Sequence, residues 1–213
     1  MRLSRTMAQR TTLAIATLAS LPLLGSAASA HHAMDGQLPT NALQGFLSGL
    51  AHPILGIDHF AFIVALGLVA AIVRRGQLLP IFFLVTAMVG TGLHLQQVDV
   101  PGSELLIAGS VILLGSILGV GKQLSFSWLA ILGAIAGLFH GYAYGESIVG
   151  AQTTALVSYL VGFTVMQAMI ALGVWAIARK TQQVAEQPQF WVRYIGSGIC
   201  GIGIAALANQ ILG

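Results

Sequence analysis

The chain has 213 residues, of which 56% are hydrophobic and only 7% charged, and its mean hydropathy is +0.87. A soluble domain typically carries about 25% charged residues, so this chain cannot cover a water-facing surface and reads as a multi-span membrane protein. The net charge is +3, but the basic residues are scattered at helix ends. That excludes a clustered phosphate-binding face, and with it nucleic acid as a partner.

Residues 1–30 read as a cleavable signal peptide. Arg2, Arg5 and Arg10 form a basic start, Leu13 to Leu24 an apolar core, and Ala28-Ser29-Ala30 a small-residue cleavage signature. Cleavage after Ala30 makes His31 the new N-terminus, outside the cytoplasm; an uncleaved first helix is the alternative. The mature domain is then 31–213.

Residues 31–41 are polar and turn-like. In the stretch 42–51, Leu43, Phe46, Leu47 and Leu50 fall at i, i+3, i+4, i+7, with Gln44, Gly45, Ser48 and Gly49 opposite. That is a short amphipathic helix. If it joined the next span unbroken, residues 41 to 73 would extend roughly 50 Å at about 1.5 Å per residue, against a hydrocarbon core of about 30 Å. Pro53 sits where a break is needed, which would place His52 at the entrance of the span.

The first span is expected at 55–73, and five more apolar runs follow at about 78–95, 103–120, 126–143, 153–178 and 191–212. The fold expected is an all-α bundle of six transmembrane helices preceded by a short amphipathic or kinked helix. Arg74 and Arg75, Lys122, and Arg179, Lys180 and Arg193 fall in alternate connections, while the others hold Asp99, Glu104 or Glu146 and no Lys or Arg. The positive-inside rule makes the basic side cytoplasmic, in agreement with the signal peptide, so both termini are expected outside.

Small residues recur at spacing four: Gly133, Gly137, Gly141 and Gly145; Gly115 and Gly119; Ser197, Gly201 and Ala205. Such stripes let helices approach closely in lipid, and the run of four glycines points to the fourth span as the centre of the bundle. The single cysteine, Cys200, rules out an intrachain disulfide or a thiolate metal cluster. It reads as a small buried hydrophobe.

On this topology all six histidines lie in the outer half: His31, His32, His52, His59, His94 and His140. Asp35, Asp58, Asp99, Glu104 and Glu146 join them, and Glu186 is the one acid elsewhere. Ionisable groups at membrane depth are expensive and functional. His52 and His59 are two turns apart and would share a face if both are helical. Asp58 is either a further ligand or the group that orients an imidazole. Imidazole-rich sets without thiolate favour Ni, Co, Zn or Cu over Mg or Ca.

The stretch HPILGIDHF (52–60) resembles the His-Pro-x-x-Gly-x-Asp-His signature of the HupE/UreJ family of nickel and cobalt permeases. FHGYAYGES (139–147) resembles that family's second motif, Phe-His-Gly-x-Ala-His-Gly-x-Glu, with Tyr144 where a His is expected. Ile63 replaces the Met usual shortly after the first motif. The resemblance covers essentially the whole mature chain. It implies uptake of Ni²⁺ or Co²⁺ across a bacterial cytoplasmic membrane without an ATPase subunit, the ion being cargo rather than a catalytic cofactor.

The metal-handling residues expected are His52, Asp58 and His59, with His94, His140 and Glu146 from neighbouring spans. His31, His32, Asp35, Asp99 and Glu104 would collect the ion, and Thr86, Met88, Thr91, Met166, Gln167 and Met169 would line a weaker inner path. The alternatives are a membrane metal-binding accessory protein for metalloenzyme assembly and an intramembrane metalloenzyme. The second lacks a His-Glu-x-x-His pattern.

Overall fold

The computed structural model describes residues 37–184 and 188–212. The signal peptide, His31, His32, Asp35 and Glu186 lie outside them. The described residues form seven α-helices: α1 (Ala42–Leu55), α2 (Ile57–Ile72), α3 (Leu79–Leu95), α4 (Ser103–Val120), α5 (Phe126–Glu146), α6 (Thr153–Val184) and α7 (Pro188–Leu212), with a 3₁₀ turn at Gly76–Leu78 before α3. No strand occurs among the described residues. Five helices are long and apolar enough to cross a membrane. α1 and α2, which are bent by 79° to each other, pass the same test only as a pair.

Local chemistry sets where α1 starts. Asn41 Oδ1 accepts the Gln44 backbone N–H at 3.0 Å, and Gln44 Oε1 accepts from the Thr40 N–H and hydroxyl at 2.8 Å. These bonds satisfy N–H groups that the helix itself leaves orphaned.

The break falls at Gly56, not at Pro53. Pro53 stays inside α1, where its missing N–H and ring weaken the last turn. Gly56 then leaves the helix at φ −78°, ψ 105°. His52 therefore sits in the last turn of α1, not at the entrance of the next span. α1 packs on α6. Gly45 and Gly49 abut the backbone carbonyls of Ala155 and Tyr159, and Gly162 abuts that of Phe46, so α1 runs along the first turns of α6 in the same chain direction.

The centre of the bundle is α2, not the glycine-rich fourth span. From Ala61 to Ala71 every residue of α2 except Val64 is buried. A helix apolar all round is one enclosed on all sides, and α2 packs against α4, α6 and α7. The glycines of α5 serve one tight pairing, with α3. Gly137 abuts the Phe83 carbonyl, Gly141 the Ala87 carbonyl and Gly145 the side chain of His94, while Gly133 faces α2 at Leu66.

α4 pairs with α7 through Gly115 against Cys200 and Gly119 against Ser197. Of the expected Ser197, Gly201 and Ala205 stripe, Gly201 faces open space; Gly196 and Gly203 make the contacts. Cys200 is half-buried beside Ser116 Oγ at 3.3 Å.

α6 continues past residue 178 to Val184, so Arg179 and Lys180 are helical. Arg179 donates to the Ala71 carbonyl at 3.3 Å and Arg193 to the Gly119 carbonyl at 3.0 Å. Both basic groups thus sit on C-terminal carbonyls of neighbouring helices, where the helix dipole favours a cation. Large apolar residues such as Ile81, Val85, Leu113, Ile135, Val161 and Ile204 point outward, as a lipid-facing surface requires.

Candidate metal site

The helix ends decide which ionisable groups can meet. α2 and α4 begin at the end of the bundle where α3 and α5 finish. His52, Asp58, His59, His94, Glu104, His140 and Glu146 all belong to that end, opposite the connections carrying Arg74, Arg75 and Lys122.

His59 is set by its neighbour in sequence. Asp58 Oδ1 accepts the His59 backbone N–H at 2.8 Å and lies 2.8 Å from His59 Nδ1. A carboxylate can only accept here, so Nδ1 carries the ring proton and Nε2 the lone pair. That Nε2 is buried with no hydrogen-bond partner. Between the two roles open for Asp58, this is the geometry of a group that orients an imidazole.

His140 on α5 is fully buried. Its Nε2 lies 3.0 Å from Ser110 Oγ on α4, and Ser110 donates its own proton to the Ile107 carbonyl at 2.7 Å. The hydroxyl therefore accepts from His140 Nε2–H, which makes Nδ1 the lone-pair nitrogen. That Nδ1 is also buried without a partner. The His59 and His140 rings stand 4.8 Å apart. Two neighbouring imidazoles thus each hold a lone pair that no protein donor satisfies.

His52 joins them across the bend, its ring 6.5 Å from that of His59. Its Nδ1 lies 3.1 Å from both Ser147 Oγ and Tyr159 Oη, which are 3.0 Å apart. Both hydroxyls reach the Tyr144 carbonyl at 3.1 Å. Tyr144 itself fills the middle of the group, its ring 4.5 Å from His59 and 4.9 Å from His52. The position where a His was expected is therefore central to the cluster.

The other expected residues are placed differently. The His94 ring lies 4.5 Å from that of Tyr142, tilted 56° to it, and its side chain abuts Gly145 of α5; its Nδ1 is buried without a hydrogen-bond partner. Glu146 is exposed. Glu104 is exposed, accepts from Gln210 at 3.0 Å and lies within electrostatic reach of His59, Asp58 and Glu146. Among the described residues, no three His, Cys, Asp or Glu side chains form a group that could hold a metal ion as they stand.

Of the residues expected to line an inner path, Met88 and Met169 face outward. Thr86 and Thr91 bond to backbone carbonyls. Thr91 and Gln167 are buried, and Met166 is half-buried. Below the cluster Phe62 lies 4.5 Å from the His140 ring and 5.2 Å from Phe83, above a core of Ile63, Leu66 and Val69. Ser110 and Tyr159 were not anticipated. Their only signal is a hydroxyl in an apolar run.

A family model described as HupE / UreJ protein matches residues 18–206. Among curated proteins, the chain is 28% identical over 195 residues to "Protein HupE" of Rhizobium leguminosarum bv. viciae, covering 91% of this chain and 96% of that one. No solved structure matches.

Proposed function

The chain belongs to the HupE/UreJ family, and from its buried histidines we propose that it carries Ni²⁺ or Co²⁺ inward across a bacterial cytoplasmic membrane. The carrying observation is the pair of unpartnered lone-pair nitrogens, His59 Nε2 and His140 Nδ1, in adjacent rings. Unsatisfied imidazoles inside an apolar bundle are costly, and a divalent ion passing between them is what they can serve.

In this mechanism Glu104, Glu146, Asp58 and the terminal His31 and His32 attract the hydrated ion. His59 and His140 replace part of its water shell, and His52 joins from the end of α1. His94 and Asp99 act only at the mouth. Asp58 holds His59 in the ligating tautomer. The Phe62–Phe83 floor closes the inner side, so inward release requires that floor to move.

No motor is needed. A charge crossing a membrane potential gains about 2.3 kcal/mol per 100 mV. A divalent ion thus gains roughly 4.6 kcal/mol, more than three decades of concentration ratio at about 1.4 kcal/mol per decade. The basic connections mark the cytoplasmic side, which puts both termini and the cluster outside.

The test is flux of Ni²⁺, Co²⁺, Zn²⁺, Cu²⁺ and Mn²⁺ into proteoliposomes, with and without an inside-negative potential. Saturable Ni²⁺ or Co²⁺ entry that the potential accelerates is the expected result. Bound metal with no transmembrane flux of any ion would overturn transport in favour of an accessory role.

Gly56 offers a finer check. A Cβ there would lie 3.2 Å from His59 Nδ1 and 3.4 Å from Asp58 Oδ1. Gly56→Val should therefore displace the Asp58–His59 pair and lower Ni²⁺ affinity roughly 10–100-fold, the range for disturbing a ligand's supporting group. Calorimetric titration of the purified variant reads this directly, and parental affinity would contradict it.

A further inference from the structure

Beyond the histidines, three side chains among the described residues keep a buried polar atom without a hydrogen-bond partner: Gln182, near the far end of α6, and, close to the cluster, Tyr144 and Gln167. The Tyr144 hydroxyl has no hydrogen-bond partner, and neither does either polar atom of Gln167. Tyr144 is 0% exposed and Gln167 1%. The two groups are close enough to interact, yet they do not meet in hydrogen-bonding geometry.

Gln167 is held in this position by its helix. Phe163, Gln167 and Ala171 occupy successive turns of one buried stripe of α6. Phe163 packs edge-on against Tyr144 at 4.3 Å. The Ala171 carbonyl abuts Gly67 of α2. Gln167 lies between them, on the face turned to α2 and α5, one turn further from the mouth than Phe163. On α5, Tyr144 follows His140 by one turn and touches His59. The unpartnered groups of His59, His140 and Gln167 are thus gathered near one side chain, Tyr144.

We propose that Tyr144 and Gln167 supply neutral oxygen donors that complete the cation's coordination beside His59 and His140, and that they determine which cation the site accepts. This rests on the reading of the cluster as a cation path. Among the described residues no three His, Cys, Asp or Glu side chains form a group that could hold a metal ion, so the imidazoles need donors of another type. A phenol and a carboxamide add no negative charge in the apolar interior, and they hold a divalent ion loosely enough to let it go. Imidazole with neutral oxygen suits hydrated Ni²⁺ or Co²⁺; soft ions that seek thiolate are disfavoured.

The experiment uses the purified full chain in nanodiscs, with Ni²⁺ titration, the Co²⁺ d–d absorption spectrum and metal-free thermal unfolding. Gln167→Leu removes two atoms that bond to nothing, so Tm should be kept or raised. Its Ni²⁺ affinity should fall roughly 10–100-fold, and the Co²⁺ spectrum should change. Tyr144→Phe, which deletes one unbonded oxygen, should do the same and serves as the second variant.

Gln167→Glu places a charged oxygen at the same point and should tighten binding while slowing flux. Parental affinity and an unaltered Co²⁺ spectrum in both Gln167→Leu and Tyr144→Phe overturn the donor assignment and leave the transport reading intact. A parent chain that binds neither ion overturns both.

Discussion

His59→Ala should abolish Ni²⁺ and Co²⁺ uptake while the protein still folds and reaches the membrane. The ring packs edge-on against His140 and Tyr144 but makes no hydrogen bond to another helix. Its Nε2 bonds to nothing, and its Nδ1 bonds only to Asp58, the next residue back. Asp58 keeps the His59 backbone N–H as a donor after the ring is gone, so no buried charge is stranded. What is lost is one of two adjacent lone pairs. His52→Ala and Asp58→Ala should likewise end uptake, the first through a ligand across the bend and the second through the tautomer of His59.

Asp58→Asn is the graded case. Its side-chain oxygen still accepts from the backbone, but the carboxylate's hold on Nδ1–H is weakened, so affinity should drop roughly 10–100-fold. Uptake is read as initial rate of metal entry per folded protein, with membrane insertion quantified in parallel. Unchanged flux in well-folded His52→Ala, Asp58→Ala and His59→Ala would sink the site assignment.

The sequence carried the helices well because hydropathy is a local property. The expected runs at 103–120 and 126–143 correspond to Ser103–Val120 and Phe126–Glu146. Facing is not local, and there the reading fell short. The two-turn spacing of His52 and His59 puts them on one face only if both are helical. They meet although the helix breaks between them, because α1 and α2 both pack on α6.

His94 shows the converse. Its position at the correct end was legible, but what its ring packs against was set by Gly145 and Tyr142, which its own sequence neighbourhood does not contain. Ser110 and Tyr159 act on partners 30 and 107 residues away, beyond any spacing rule. Tyr144 was marked as a departure from a motif. Only the fold shows that it occupies the middle of the histidines.

The same limit separates two glycines that look alike in sequence, and it supports a prediction about stability. Gly141 and Gly201 both belong to small residues spaced by four. Gly141→Leu should leave no folded protein. Its Cβ would run into the Ala87 carbonyl, and the Gly141 carbonyl accepts from Thr91 Oγ1 at 2.7 Å, so α3 and α5 are held in contact at that point and cannot part without breaking the bond.

Overpacking alone costs about 1–3 kcal/mol where side chains can move aside. Here the obstacle is backbone, which cannot, and His140 next to it would move with α5. A Cβ at Gly201 meets nothing within 4 Å, and Gly201→Leu exchanges glycine for a better helix former, a gain of up to about 1 kcal/mol. It should express and unfold like the parent or slightly better. Size-exclusion profiles and thermal unfolding of the two variants decide the matter. Equal behaviour of the pair would mean that the α3–α5 contact does not hold the bundle together.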